Sequence, residues 1–124
     1  MLTQTFEFEI KKSKFIAYYY NVNDKLEVEA ILSCIKKEHK KARHIVYAYK
    51  INQDIKKHND GEPSNTAGTP IYNLIIKNDL NYCLIVVVRY FGGIKLGAGP
   101  LTRAYFNAAN EVVKNHKNNK EEIK

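Results

Sequence analysis

The chain has no tryptophan, one methionine, three prolines and two cysteines. Cys34 and Cys83 form no CxxC pair and have no histidine pattern beside them, which argues against both a zinc donor set and a disulfide framework. A reduced, cytoplasmic setting is the expectation, with no metal and no cofactor. Long apolar runs are missing too. The longest, residues 83–88, is far too short to cross a bilayer, so no membrane partner is expected. The opening MLTQTFE lacks the basic and apolar regions of a signal peptide. No internal repeat is visible. Acid is scarce against base: 13 Asp and Glu face 20 Lys and Arg, a formal net charge of +7. That excess is compatible with RNA, DNA, phosphate ligands or an acidic protein partner, and equally with a lysine-rich surface that binds none of them.

What is present fits one domain of 124 residues with a real core, at 44% hydrophobic and 27% charged residues. Residues 6–10 alternate apolar and polar as a half-buried strand does, and 11–14 are a polar break. Residues 15–20 form an aromatic-rich second strand. Asn23 or Asp24 can cap a helix, with Glu27 placed for a capping box and Val28, Ile31, Leu32 and Ile35 on one face. Residues 45–51 read as a third strand and 52–68 as a long polar surface loop. Pro70 can open a short helix with Ile71, Leu74 and Ile75 inward, although 73–77 also admits an extended reading. Residues 82–90 are apolar enough for a central strand. Pro100 starts a last helix carrying Leu101, Tyr105, Ala108 and Val112 on one face. From Asn115 on, the chain is polar and reads as a fraying tail or linker. The domain is therefore expected over 1–114, with a tail over 115–124. The order of elements gives an α+β class, a two-layer sandwich with helices against one sheet face.

Four of the six glycines fall within residues 92–99, between the apolar strand and the last helix. Gly92, Gly93, Gly97 and Lys95 in that turn could hold a phosphate or other anion on backbone N–H groups and an ammonium. The same glycines could simply serve a tight strand-to-helix turn, and neither a P-loop nor a dinucleotide fingerprint is matched. Arg89 and Arg103 flank the turn. Each could contact phosphate or carboxylate in bidentate fashion, while Arg89 could instead pair internally with Asp60 or Glu62 and tie the long loop to the sheet. Asp60, Glu62, Ser64 and Thr66 lie in that loop, and His44 starts the third strand. A hydrolytic reading makes a carboxylate a base and Ser64 a nucleophile with His44 nearby, but no nucleophile-elbow spacing is present. Turn-capping by Asp60 and Ser64, and a structural hydrogen bond for His44, are the plainer alternatives. His39, His58 and His116 sit in polar segments and read as solvated. Tyr90 and Phe91 are the aromatics best placed for exposure beside the site. The basic run 36–43 is a solvated helix end or a source of phosphate contacts.

Two long segments then resemble a known family. DGEPSNTAGTPI, residues 60–71, is similar to its DGEPSGTAGxPI loop, and RYFGGIKLGAGPLTRAY, residues 89–105, is similar to its RYFGGxKLGxGGLxRAY signature. Residues 13–17 and 42–49 match two shorter segments in the right order. The chain thus resembles the IMPACT N-terminal-domain family, with its bacterial YigZ-like members. The resemblance implies a fold similar to domain IV of elongation factor G and to a small-subunit ribosomal-protein domain, often with a left-handed crossover. It also implies a link to translation. Eukaryotic relatives regulate a starvation response through a partner that activates a translation-factor kinase, and nucleic-acid or ribosome binding is the usual proposal for bacterial ones. Two positions depart from the pattern. Asn65 and Pro100 stand where glycine is usual; Asn tolerates a left-handed backbone, and Pro removes a donor from any anion nest. The second, ferredoxin-like domain common in bacterial members is expected to be absent.

The leading expectation is a translation-associated binding module for RNA, the ribosome or a regulatory protein. Its surface would use Arg89, Tyr90, Phe91, Gly92, Gly93, Lys95, Gly97 and Arg103, with His44, Asp60, Glu62, Ser64 and Thr66 beside it. A hydrolase on a phosphorylated or peptide-like substrate, using His44, Asp60, Glu62 and Ser64, and a pure protein adaptor are the alternatives.

Overall fold

Residues 13–21 are apolar on both faces of an extended chain, and this decides the architecture. Phe15, Ala17 and Tyr19 point one way and Ile16, Tyr18 and Tyr20 the other, so each face needs its own cover. The computed structural model describes residues 1–123, with side chains described through Asn119. The elements are β1 (Leu2–Ile10), β2 (Ser13–Asn21), α1 (Lys25–Glu38), β3 (His44–Ile51), β4 (Asp54–His58), α2 (Gly68–Lys77), β5 (Cys83–Tyr90) and α3 (Ala98–Ile123). The five strands pair in the order β1-β2-β5-β3-β4, every neighbour antiparallel.

The α+β class is as expected; the placement of the helices differs from the one-face reading. α2 and α3 pack on the face that carries Phe15, Val46, Ile85 and Val87, around Ile71, Ile75, Tyr105 and Val112. α1 lies on the opposite face, its Val28, Leu32 and Ile35 set against Ile16, Val86 and Val88. β5 is central, with every side chain from Cys83 to Val88 fully buried.

Asp24 caps α1 by accepting the Glu27 backbone N–H at 2.9 Å, while Glu27 accepts that of Asn23 at 2.8 Å. Residues 73–77 are helical, as part of α2. The loop expected over 52–68 is interrupted by β4, an edge strand exposed at every residue, which lacks the apolar alternation that announces a strand. α3 continues to Ile123 where composition suggested fraying from Asn115; Lys124 lies outside the described residues. His116 stacks on Tyr19 with ring centroids 4.1 Å apart, and Lys117 donates to Asn78 at 3.1 Å. His116 is therefore buried rather than solvated. His39 is buried as well, hydrogen bonded through Nε2 to the Tyr18 hydroxyl at 2.8 Å and through Nδ1 to that of Tyr90 at 2.5 Å.

Candidate functional site

Strand register brings the site together. Arg89 of β5 is the cross-strand neighbour of Phe15 on β2 and of His44 on β3, so one row at the end of the sheet carries an aromatic, a guanidinium and an imidazole. The 59–68 loop folds over that row. Asp60, at φ 48°, accepts the Ile45 N–H on Oδ2 at 2.7 Å, and its carbonyl accepts from His44 Nδ1 at 2.6 Å. Asn59 donates to the Glu62 and Pro63 carbonyls and accepts the Gly68 N–H at 3.0 Å. Thr66 is buried, its hydroxyl spent on the Pro63 carbonyl at 2.6 Å, so it shapes the loop and offers nothing outward. Asn65 takes φ 63°, the left-handed conformation that glycine adopts freely.

This loop drives Glu62 inward. Arg89 Nη1 donates to both Glu62 carboxylate oxygens, at 3.0 and 2.8 Å, and the Tyr105 hydroxyl of α3 donates to Oε2 at 2.5 Å. His44 Nε2 lies 3.3 Å from Oε1 and pairs with it when the ring is protonated. Glu62 is 6% exposed and Arg89 also 6%, which makes this a buried ion pair with a phenol attached. Burial first, and the Glu62 carboxylate next, hold the Tyr105 hydroxyl far above its ordinary pKa, so it stays a donor. Both Glu62 oxygens accept hydrogen bonds from these partners, which ties the carboxylate to the sheet and to α3. Arg89 accordingly pairs internally with Glu62.

Above the pair opens a cleft of ≈ 310 Å³ lined by Arg43, His44, Glu62, Pro63, Arg89, Phe91, Lys95, Leu96 and Leu101. Phe91 is half-buried, with the Arg43 guanidinium carbon 4.6 Å and that of Arg89 5.8 Å from its ring centroid. Lys95 is exposed on the wall. Four expected members stand elsewhere. Tyr90 turns to the α1 face and bonds His39. Ser64 is exposed in a separate depression with Lys57, Asn65 and Thr69. Arg103 lies in a third, with Thr102 and Phe106. Gly97 lies in the approach to α3, its carbonyl accepting the Leu101 N–H at 2.9 Å. The hydrolytic set is thus split: His44, Asp60 and Glu62 meet, and Ser64 has no hydrogen bond among the described residues.

The 92–99 turn gives little support to the expected phosphate nest. Gly93, at φ 93°, is its one left-handed residue, and Pro100 supplies no N–H. Gly92 answers a different need: a Cβ there would stand 1.9 Å from the Lys12 carbonyl oxygen, so the β1–β2 turn rests directly on its backbone. Two residues of the site were missed as members. Tyr105 reads in sequence as one more core aromatic of a helix face. Arg43 reads as the end of a basic run, and its place beside His44 at a strand start was the available signal. Among the described residues, no group of three or more His, Cys, Asp or Glu is placed to hold a metal ion, and no helix is long and apolar enough to cross a membrane.

The family model of the Impact N-terminal domain matches residues 11–113. The IMPACT family member YvyE of Bacillus subtilis is 46% identical over 108 residues, covering 85% of this chain and 50% of that protein. A solved structure of a hypothetical protein superposes with a TM-score of 0.85 at 34% identity, over 89% of this chain and 56% of the other. The structure of the two-domain translational regulator Yih1 superposes with a TM-score of 0.56 at 25% identity, over 92% and 45%. The chain spans about half the length of the curated relatives it matches. Matched along most of its length, including the acidic loop and the strand that hold the buried pair, the chain belongs to the IMPACT N-terminal domain family.

Proposed function

We propose that this chain is a binding module acting in translation and that it takes RNA at the cleft between the acidic loop and the 91–96 segment. The observation that carries this reading is the charge left on the cleft wall. The Glu62 charge is matched by Arg89 and solvated by the Tyr105 hydroxyl, while Arg43 and Lys95 are exposed cations without an ion-pair partner among the described residues. Lys11 and Lys12, exposed at the turn that rests on Gly92, extend the same positive end of the sheet. The surplus of +7 supports an anionic partner. The likeness to a translational regulator supports the cellular setting. An open cleft with Ser64 outside it supports binding over hydrolysis.

Fluorescence anisotropy with labelled RNA oligomers tests this. Arg43→Ala and Lys95→Ala are expected to weaken binding across sequences, and the affinity to fall with salt at a log–log slope of about −0.7 per phosphate neutralised. Failure to bind any RNA at micromolar protein, or affinity indifferent to salt, overturns the reading. Nuclease-resistant capture of a ribosome-bound protein in place of RNA would transfer the site to a protein partner.

A further inference from the structure

The Arg43 guanidinium lies over the Phe91 ring at 4.6 Å, yet Arg43 is exposed and lines the cleft. Its backbone is fixed, because the Arg43 N–H donates to the Arg89 carbonyl at 2.8 Å. Phe91 also has Arg89 within 5.8 Å, so the aromatic that looks suited to stacking already has arginine for company. The available planar surface is that of Arg43 itself. A guanidinium is flat, weakly hydrated and stacks on π-systems, which an ammonium does not do. Around it the cleft offers the apolar walls of Pro63, Leu96 and Leu101, with Lys95 at the rim. Its ≈ 310 Å³ falls at the low end of the roughly 300–1,000 Å³ of small-molecule pockets, room for one planar ring and not for a duplex.

We infer that Arg43 is a stacking platform for one unpaired nucleobase, with a neighbouring phosphate on Lys95, so the RNA is single-stranded where it meets this cleft. The inference rests on the RNA reading above and names the form of that ligand. Stacking of an unpaired base on an arginine plane is a general mode of RNA recognition and requires the base to be splayed out of a helix.

The test is Arg43→Lys, which keeps the charge and removes the plane. Single-stranded oligomers carrying a fluorescent base analogue are titrated against the wild-type and variant chains, with a duplex of the same sequence beside them. Affinity for the single strand is expected to fall about tenfold in the variant, the scale of one lost stacked base. The salt slope is expected to stay unchanged, because no charge is removed. Quenching of the base analogue on binding is expected in wild type and lost in the variant. The duplex is expected to bind more weakly than the single strand and to be insensitive to the substitution. Lys95→Ala is the contrasting variant, expected to reduce the salt slope and keep the quenching; unaltered melting of both variants excludes misfolding. Wild-type affinity and quenching in Arg43→Lys, or a duplex bound as well as the single strand, overturns the stacking role and leaves the RNA reading standing. Absence of RNA binding by the wild-type chain overturns both.

Discussion

Glu62 stands in the middle of a sequence of loop residues, yet it is the charge on which the site is built. Removing one member of a buried ion pair leaves the other charge without compensation, at a cost of about 3–5 kcal/mol. Glu62→Gln is therefore expected to lower the unfolding free energy measured in urea by that scale, since Arg89 remains buried. Tyr105→Phe, which removes only the hydroxyl donor, is expected to cost less, about 1.5–3 kcal/mol. Equal losses in the two variants would deny the charge its role. The glycines allow a second comparison by the same measurement. Gly93→Ala meets no neighbouring atom and suffers only its positive φ, about 1–2 kcal/mol. Gly92→Ala drives a methyl into the Lys12 backbone and is expected to cost more, with Phe91 displaced in consequence. At this scale an internal pair for Arg89 was legible only as an alternative to a ligand contact, with the acid open between Asp60 and Glu62, because both lie in the one loop; the fold chooses Glu62. Tyr105 was not legible, because a hydroxyl bond across 43 residues leaves no local trace.

Elements with a local device were legible and those without one were not. α1 announces itself by its cap: Asp24→Ala is expected to cost about 1 kcal/mol in thermal or urea unfolding, with no effect on RNA affinity. α2 and β5 are readable from Pro70 and from an unbroken apolar run. β4 has neither signal. It exists because β3 offers it a free edge, and its exposed Ile55, Lys56 and Lys57 could equally belong to a loop. The last turns of α3 follow the same logic. Their polar composition suggests fraying, and burial of His116 on Tyr19 overrides it.

For the molecule as a whole, the doubly apolar β2 is the residue pattern that demanded helices on both faces, and the count of helices alone did not reveal it. That double burial has an alkaline signature. Burial pushes the Tyr18 hydroxyl up to about 12, with Glu38 adding to it, and raises Tyr19 and Tyr105 further; Cys83 rises to about 11. A tyrosine whose pKa is raised on folding holds its proton longer in the folded state than in the unfolded one, where it leaves near 10. Stability from the tyrosines is therefore fully present below pH 10 and falls as pH climbs from about 10 through 12, while that from Cys83 starts to fall near 9. Urea midpoints should decline across that window, and tyrosinate absorbance should lag behind that of the unfolded chain. Midpoints that stay level, or tyrosines that all ionise together near 10, would contradict the burial assigned to Tyr18, Tyr19 and Tyr105.

The strand order also has a consequence for synthesis. β5 is the last of the five strands along the chain and the middle one of the sheet they form. Before β5 is made, the only strand pairings of this sheet open to the chain are β1–β2 and β3–β4, and neither joins the other. That one segment supplies both remaining pairings, to β2 and to β3, and the arginine that meets Glu62.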